Sequence, residues 1–393
     1  MSLSELQELE RRWVMPTYRR APVEFVRGEG ARLWDSDGKR YLDFFAGLGV
    51  MNAGHCHPLI TAAIREQAGR LVGVSNLYYS DPAMRLAERL SESSLGGPVF
   101  LCNSGAEANE AAIKLARKRA RTRGIEAPEI VVLDGAFHGR TIATLTASPG
   151  IAREDLFGPL PAGFVTTPRD APAALESAVG ERTAAVMIEP IQGEAGVHPV
   201  PDPVLAAARR ACDASGALLV LDEIQTGMGR TGSLWAWQQG PARPDAISAA
   251  KALGGGLPVG ACVTVPGLDV ALDAGEHGST FAGAPLAAAA ALAALETIDE
   301  PALLCRVREL GTRLCDGLGA LDGIEEVRGR GLMVGAGLDE GLDAGEVAAR
   351  ALDAGLVINV PAPGTLRFLP PLVIGDAEVD EALGILGDCL RRH

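Results

Sequence analysis

A lysine and an aspartate each follow a short apolar segment, and together they indicate amine chemistry. Lys251 comes at the end of residues 245–251, directly before a glycine-rich turn, and Asp222 follows the apolar residues 217–221. Long amine side chains are seldom placed at the end of a buried strand for packing alone. An amine and a carboxylate at the same edge of a sheet suggest a Schiff-base site. In such a site the lysine holds an aldehyde cofactor and the acid keeps the ring nitrogen of that cofactor protonated.

A second candidate site is the start of a predicted helix after the apolar residues 99–102. Ser104 is a favourable N-cap residue, and Gly105 and Ala106 follow it without bulky side chains. The free N–H groups at such a helix start can bind a phosphate. A plain capped helix explains the segment equally well by itself, but its position directly after a buried strand favours the phosphate site.

Residues 227–232 match the pattern G-x-G-x-x-G, which suggests a nicotinamide dinucleotide site. In such a site the glycines come straight off a strand and open a helix, with an acid about 20 residues further on. Here residues 222–225 intervene, no convincing helix follows, and the acid is missing. We therefore predict that this segment does not bind a dinucleotide.

Short apolar runs alternate with helical patterns and predict an α/β fold with a mostly parallel sheet covered on both faces. In such sheets functional residues collect at the carboxyl ends of the strands. In the N-terminal part of the chain, the sequence pattern predicts a small antiparallel meander that turns at Asp37-Gly38. From about residue 296 the pattern indicates a smaller C-terminal domain. The predicted strands lie at residues 99–102, 130–133, 184–188, 217–221, 246–249 and 259–265.

Composition narrows the classes of partner. The 393 residues carry a net charge of −14, which argues against nucleic acid and anionic membranes. Seven cysteines without a C-x-x-C pair favour reduced thiols and a cytoplasmic location. Residues 281–295 are too short for a membrane span and predict a buried helix, and no signal peptide is visible. His55 and His57 flank Cys56 without a nearby acid in the sequence, so we predict a structural loop and no metal site.

Nine segments, in order along residues 54–371, resemble the class III pyridoxal phosphate aminotransferases. Within that family they are most similar to the acetylornithine aminotransferases. The segments are Gly54-His-Cys-His-Pro58, Ser75-Asn-Leu-Tyr-Tyr79, Asn103-Ser-Gly-Ala-Glu-Ala-Asn-Glu110, Phe137-His-Gly-Arg-Thr141, Ile188-Glu-Pro-Ile-Gln-Gly-Glu194, Leu221-Asp-Glu-Ile-Gln-Thr-Gly-Met-Gly-Arg-Thr231, Lys251-Ala-Leu-Gly-Gly-Gly256, His277-Gly-Ser-Thr-Phe281 and Leu366-Arg-Phe-Leu-Pro-Pro371.

The resemblance implies the fold-type I architecture of pyridoxal-phosphate-dependent transferases. A large domain with a mostly parallel mixed sheet, expected over residues 51–295, would bind the cofactor. A smaller α+β domain would be built from residues 1–50 and 296–393. The resemblance also implies a homodimer.

The resemblance assigns cofactor roles to residues that were singled out above and adds others. Lys251 would carry pyridoxal 5'-phosphate and move the proton during catalysis, and Asp222 would pair with the ring nitrogen. The remaining cofactor contacts would be Ser104, Gly105 and Ala106 at the phosphate, Phe137 on the ring face, Gln225 by the phenolic oxygen, and Thr280 at the phosphate of the neighbouring subunit.

Four further residues would bind substrate. Arg140 would hold the carboxylate far from the reacting amine, since a guanidinium binds carboxylates in a bidentate manner. Arg367 would bind the α-carboxylate of glutamate or 2-oxoglutarate, and Glu194 would pair with Arg367 when the ω-amino donor is bound. Ser279 would contact the acyl-amino donor.

The resemblance thus implies transfer of the δ-amino group of N2-acetyl-L-ornithine to 2-oxoglutarate by a ping-pong mechanism, in arginine biosynthesis. The asparagine of residues 46–52 stands one place later than is usual in the family, while Gly47, Leu48 and Gly49 leave room for an acylated donor. The same chemistry on succinylornithine, N-succinyl-diaminopimelate, 4-aminobutyrate or carrier-bound lysine is the nearest alternative. A pyridoxal phosphate enzyme that is not a transferase and a nicotinamide-dependent dehydrogenase are remoter ones.

Overall fold

The computed structural model describes residues 1–391. Its helices are α1 (Leu3–Trp13), α2 (Ala46–Gly49), α3 (Pro58–Ala68), α4 (Asp81–Ser93), α5 (Gly105–Thr122), α6 (Ile142–Thr146), α7 (Glu154–Phe157), α8 (Pro172–Ala178), α9 (Asp202–Ser215), α10 (Pro285–Ile298), α11 (Pro301–Gly319), α12 (Ala344–Asp353) and α13 (Asp376–Arg391), with short 3-10 helices at Ala236–Gln239 and Lys251–Gly254.

The strands are β1 (Phe25–Glu29), β2 (Arg32–Asp35), β3 (Arg40–Asp43), β4 (Val99–Cys102), β5 (Glu129–Leu133), β6 (Phe164–Thr167), β7 (Thr183–Ile188), β8 (Ile191–Gln192), β9 (His198–Pro199), β10 (Leu218–Asp222), β11 (Ala246–Ala249), β12 (Gly260–Thr264), β13 (Ile324–Arg330), β14 (Met333–Leu338), β15 (Leu356–Val357), β16 (Asn359–Ala362) and β17 (Thr365–Phe368).

A seven-stranded sheet forms the centre of the fold, in the order β4-β12-β11-β10-β7-β5-β6. The strands from β11 to β6 run parallel, and β12 is antiparallel to both of its neighbours, β11 and β4. Strands β7 and β10 are buried along their whole length, which explains their continuous apolar sequences. Helices α5 and α9 pack against this sheet. The predicted mostly parallel α/β sheet is confirmed.

The N-terminal meander is also present, and it is joined by a strand from the far end of the chain. Strands β1, β2 and β3 pair antiparallel, and β15 pairs parallel to β3 through Leu356 and Leu42. This pairing supports a smaller domain made of N- and C-terminal segments. The boundaries at residues 50 and 296 stay a prediction.

Of the apolar residues 281–295, those from 285 onwards lie in α10, which has seven buried residues, as predicted. Residues 281–284 precede the helix, and Phe281 is exposed. Within residues 1–391, no helix combines the length and the apolar character that crossing a membrane requires.

Asp43, at the end of β3, organises the loop that follows it. Its carboxylate accepts hydrogen bonds from the backbone N–H groups of Phe45 (2.9 Å) and Ala46 (2.8 Å). It also accepts one from Nε2 of His55 at 2.6 Å. His55 is therefore a structural loop residue, as predicted, although its acidic partner lies twelve positions away in the sequence.

Candidate active site

One cavity of about 430 Å³ lies at the carboxyl edge of the central sheet. Residues that follow β4, β5, β7, β10 and β11 all contribute to its wall, as expected for an open α/β sheet. Nine of the twelve residues predicted for the site line this cavity: Ser104, Gly105, Ala106, Phe137, Arg140, Glu194, Asp222, Gln225 and Lys251.

Lys251 lies two residues after β11 and begins a short 3-10 helix. Its backbone is left-handed, with φ at +49°, a conformation that costs a residue other than glycine roughly 1–2 kcal/mol. Burial lowers the pKa of the Lys251 amine, although the nearby charges of Glu194 and Asp222 oppose that effect. A lowered pKa increases the neutral fraction of the amine, which is the form that reacts with an aldehyde.

Asp222 is held at the end of β10 by three hydrogen bonds. Its Oδ2 accepts from Nδ2 of Asn109 at 2.7 Å and from Nδ1 of His138 at 2.8 Å, and its Oδ1 accepts from the backbone N–H of Ile224 at 3.1 Å. Burial disfavours a charged His138, but the hydrogen bond and charge of Asp222 outweigh burial and raise the pKa of the imidazole. These contacts fix the orientation of the Asp222 carboxylate.

Sequence reasoning missed Asn109 and assigned no role to His138. The signal for Asn109 was present, because an amide on the alanine-rich face of α5 is an uncommon choice for packing. Asn109 is fully buried between the buried residues Ala108 and Ala111. A buried amide on such a face indicates a polar partner elsewhere in the fold.

The start of α5 forms one wall of the cavity. Ser104 is the N-cap, and its Oγ accepts a hydrogen bond from the N–H of Glu107 at 3.2 Å. A Cβ at position 105 would lie 2.7 Å from Cδ1 of Ile224, so Gly105 allows the helix start to lie close to the loop after β10. The first N–H groups of a helix have no partner within it and can bind an anion.

The loop that carries Phe137 is fixed through its backbone. Glu189 accepts a hydrogen bond from the N–H of Phe137 at 2.8 Å, Ser148 Oγ accepts from the N–H of His138 at 2.8 Å, and Asn109 Nδ2 donates to the carbonyl of His138 at 2.7 Å. Burial raises the pKa of Glu189 to about 7, even though His138 acts in the opposite direction. Glu189 therefore supports the loop as a buried carboxyl group.

Arg367, on β17, lies behind Glu194 and is fully buried. Its Nη1 donates to Oε1 of Glu194 at 2.7 Å and to the carbonyl of Gly193 at 3.0 Å, and its Nε donates to Asn359 at 3.0 Å. Its Nη2 has no hydrogen-bond partner in the described chain. Burial disfavours the ionised Glu194, but Arg367 outweighs burial and lowers the pKa of that carboxyl.

Arg140 is exposed at the mouth of the cavity, and its guanidinium lies 5.4 Å from the centre of the Phe137 ring. Over residues 1–391, no carboxylate lies within ion-pair distance of Arg140. The two arginines thus differ in kind, because one is buried with a counter-ion and the other is exposed without one.

Three predicted residues do not line the cavity. One is the buried Arg367, and the other two are Ser279 and Thr280. Ser279 Oγ accepts a hydrogen bond from Nδ2 of Asn103 at 2.6 Å, next to the α5 helix start. Thr280 is exposed and lines a separate surface depression with Ser75 and Phe281. Neither residue contacts the Lys251 cavity of its own chain.

The profile of the Aminotransferase class-III family matches residues 14–390. The chain belongs to the class-III aminotransferases. It is 47% identical over 387 residues to the acetylornithine aminotransferase of Gloeobacter violaceus, covering 97% of this chain and 96% of that relative. It is 45% identical over 386 residues to that of Caldanaerobacter subterraneus subsp. tengcongensis, covering 97% and 98%.

Solved structures of aminotransferases have the same fold. The ornithine aminotransferase from Toxoplasma gondii superposes with a TM-score of 0.93 at 34% identity, covering 99% of this chain and 95% of that chain. The N-acetylornithine aminotransferase from Stenotrophomonas maltophilia gives 0.83 at 40% identity, covering 97% of both chains. The predicted fold-type I architecture is confirmed.

Class-III aminotransferases are transaminases that depend on pyridoxal phosphate, and this cavity has the groups that the cofactor requires. It brings together a buried amine at Lys251, a carboxylate at Asp222, the helix start at Ser104 and an aromatic ring at Phe137. These groups match the aldehyde, the ring nitrogen, the phosphate and the ring face of the cofactor. The site therefore fits pyridoxal phosphate.

Proposed function

We propose that this enzyme transfers the δ-amino group of N2-acetyl-L-ornithine to 2-oxoglutarate in a ping-pong reaction, in the biosynthesis of arginine. The observation that carries the proposal is the buried Arg367, whose Nη2 lacks a partner and whose Nη1 is paired with Glu194. The acetylornithine aminotransferases among the relatives support the choice of donor.

Arg367 and Glu194 together suit a site that must bind two different groups in turn. With Glu194 in place, the guanidinium is neutralised and the neighbouring space accepts the uncharged end of an ω-amino donor. When Glu194 moves aside, Nη1 and the unpaired Nη2 of Arg367 form a fork for the α-carboxylate of 2-oxoglutarate. Glu194 is one-third exposed, so its side chain has room to move towards solvent.

Arg140 serves the other end of both substrates. Acetylornithine and 2-oxoglutarate each have a carboxylate remote from the reacting carbon. An exposed guanidinium without a counter-ion at the cavity mouth is suited to bind it in both half-reactions. Arg140 thus accounts for binding common to donor and acceptor, and Arg367 accounts for the difference between them.

The chemistry at the reacting carbon depends on Lys251 and Asp222. Pyridoxal phosphate supplies an electron sink when bound. The Lys251 amine, with its lowered pKa, can take a proton from the carbon that bears the amino group and return it. Asp222 holds its negative charge in place through Asn109 and His138. Phe137 and the α5 helix start orient the cofactor.

We further propose that the enzyme is a homodimer in which Thr280 reaches the cofactor phosphate of the neighbouring subunit. Thr280 is exposed and does not line its own cavity. Phe281 (73% exposed) lines the same depression as Thr280, and Leu77 (86%) and Tyr79 (93%) follow Asn76 of that depression in sequence. Exposed large apolar side chains of this kind are typical of an interface. A cytoplasmic location remains part of the proposal.

A donor panel with 2-oxoglutarate tests the assignment. We expect acetylornithine to give the highest kcat/KM among acetylornithine, ornithine, succinylornithine, N-succinyl-diaminopimelate and 4-aminobutyrate. A higher value for ornithine would contradict the proposed donor but leave the reaction class intact. The holoenzyme should be yellow, and borohydride should fix the cofactor to Lys251, as peptide mapping would detect. A colourless protein that binds NAD would overturn the whole assignment.

A further inference from the structure

The glycine-rich residues 227–232 bring an arginine into the interior of the molecule. A Cβ at Gly227 would lie 2.7 Å from the carbonyl of Glu223, and one at Gly229, where φ is +81°, would lie 2.7 Å from the side chain of Ile298. These close approaches explain why glycines occupy these two positions, so the G-x-G-x-x-G pattern does not require a bound dinucleotide. Between them the chain directs Arg230 inward, and its side chain is fully buried.

Arg230 makes hydrogen bonds to three segments that are distant in sequence, and two of them lead to the cavity. Its Nη1 donates to the carbonyls of Leu332 (2.8 Å) and Pro370 (2.6 Å), and its Nη2 donates to Oδ1 of Asn52. Its Nε has no partner, and no carboxylate in residues 1–391 lies within ion-pair distance. Burial lowers the pKa of Arg230 to about 9, although the charge of Asp43 opposes the shift. An unpaired buried cation destabilises a fold, so its presence calls for a reason beyond packing.

The first segment bound by Arg230 leads to the wall of the cavity. Asn52 comes two residues after Val50, which lines the cavity, and its Nδ2 also donates to the carbonyl of Met228 at 2.7 Å. A Cβ at Gly49 would lie 3.9 Å from Nε of Arg230. Arg230 therefore lies directly beneath the backbone that presents Val50.

Val50 directly follows α2, which is a left-handed turn. The φ angles are +47° at Ala46, +60° at Gly47, +66° at Leu48 and +74° at Gly49. Left-handed backbone costs roughly 1–2 kcal/mol at each residue other than glycine. The turn therefore needs anchoring, which Asp43 provides at its start and the Asn52–Arg230 pair provides at its end.

The second segment bound by Arg230 leads to the substrate arginine. Pro370 lies three residues after Arg367 and two residues beyond the end of β17. Two backbone hydrogen bonds join this segment to the first one, from Leu369 to Phe44 (2.7 Å) and from Leu372 to Asn52 (2.7 Å). The Arg230 guanidinium thus connects both segments to the glycine-rich loop of the large sheet.

We propose that Arg230 is a positioning residue for substrate specificity. It fixes the distance between Val50, in the segment where the sequence leaves room for an acylated donor, and Arg367, which is proposed to bind the α-carboxylate. The inference rests on the proposed function, because that function gives Arg367 its role and names the donor. Arg230 touches neither substrate nor cofactor, so it acts on binding and not on the proton transfer at Lys251.

The test is Arg230→Lys in the holoenzyme. Lysine keeps the charge, but its single ammonium cannot reproduce the fork that reaches three acceptors. A small displacement of both walls should raise KM for glutamate and for acetylornithine about tenfold each. We expect kcat to stay within about threefold, and the cofactor absorbance and cofactor affinity to stay unchanged. Asn52→Leu, which leaves Arg230 in place, should raise the same two KM values and gives the same test should Arg230→Lys fail to fold.

Arg308→Lys is the matched control. Arg308 donates to the carbonyl of Gly232 in the same glycine-rich loop, but from the exposed side of α11. It contacts neither wall, so its replacement should lower thermal stability without changing KM. The inference is overturned if Arg308→Lys raises KM as Arg230→Lys does, or if Arg230→Lys lowers stability at unchanged KM. A wild type that accepts glutamate but not acetylornithine overturns the donor alone, and one that accepts neither overturns both proposals.

Discussion

At the residue scale, different arginines are proposed to bind the groups that the two substrates share and the group in which they differ. Arg140 would bind the remote carboxylate of both substrates, and Arg367 would bind the α-carboxylate of 2-oxoglutarate. Arg367→Lys removes the planar fork, and we expect kcat/KM of the 2-oxoglutarate half-reaction to fall roughly 10- to 100-fold, as for a lost charge-assisted hydrogen bond. The acetylornithine half-reaction should change much less, because its uncharged end does not use the fork. Stopped-flow absorbance of each half-reaction measures the two effects separately.

Arg140→Lys is the control for this prediction, because Arg140 is proposed to bind a carboxylate that both substrates possess. It should slow both half-reactions to a similar extent. Glu194→Gln should have the reverse selectivity to Arg367→Lys, weakening the donor half-reaction, since it leaves the buried guanidinium without a counter-ion. If Arg367→Lys lowered kcat/KM of both half-reactions equally, the proposal that the two arginines bind different substrate groups would be refuted.

Glu189 makes the stability of the protein depend on pH. Its pKa is raised from 4.5 to about 7 in the folded state, so folding takes up a proton between those pH values. Its contribution to stability is therefore complete below pH 4.5 and is lost as the pH rises through 7. Glu189→Gln keeps the acceptor for Phe137 but cannot ionise. Relative to the wild type, the variant should gain roughly 2–3 kcal/mol of unfolding free energy between pH 5 and pH 8.

Urea unfolding of the apoenzyme at several pH values measures this gain. Glu181→Gln, at an exposed position, is the control and should show no such trend. A difference between Glu189→Gln and the wild type that is constant with pH would mean that Glu189 is already ionised at pH 5.

At the element scale, the site residues that could be predicted from the sequence were mostly those at the ends of buried strands. Lys251, Asp222 and Ser104 follow runs whose continuous apolar character marks buried strands, and an open α/β sheet brings such ends to one edge. The antiparallel direction of β12 could not be predicted, because an apolar run has the same pattern in either direction. Strand β6 was missed, since half of Phe164–Thr167 is polar and the segment lacks a continuous apolar run. The left-handed α2 depends on contacts from Arg230 that no local pattern contains.

The start of α5 allows a test at the same scale. Gly105→Ala would place a Cβ 2.7 Å from Cδ1 of Ile224, whose side chain also lines the cavity. Because that atom is the end of a flexible side chain, we expect Ile224 to shift into the cavity and not the helix to unfold. Affinity for pyridoxal phosphate should fall roughly tenfold, which corresponds to about 1.4 kcal/mol. Spectral titration of the apoenzyme measures it.

Gly384→Ala, in the helix α13, is the control for the helix start. No atom lies within 4 Å of a Cβ at Gly384, and alanine favours helix over glycine. Cofactor affinity should therefore be unchanged in that variant. Unchanged affinity in Gly105→Ala as well would show that the α5 start does not bind the phosphate.

At the scale of the whole molecule, the proposed role of Thr280 would make the proposed dimer a functional requirement. The residue is exposed on its own chain, and its neighbour Ser279 is bonded to Asn103 beside the chain's own α5 helix start. If Thr280 completes the phosphate site of the neighbouring subunit, each active site needs Lys251 from one chain and Thr280 from the other. Defects in these two residues should then complement each other between subunits.

Mixed dimers test this arrangement directly. Lys251→Ala inactivates its own site, and Thr280→Val impairs the site of its partner at limiting cofactor. In a heterodimer of the two variants, one site has both Lys251 and an intact Thr280, while the other has neither. Random reassociation should therefore restore about one quarter of the wild-type sites, since half of the dimers are mixed and each has one complete site. Activity no higher than the average of the two parent variants would mean that Thr280 contributes to the active site of its own subunit. In that case no mixed dimer would contain a complete site.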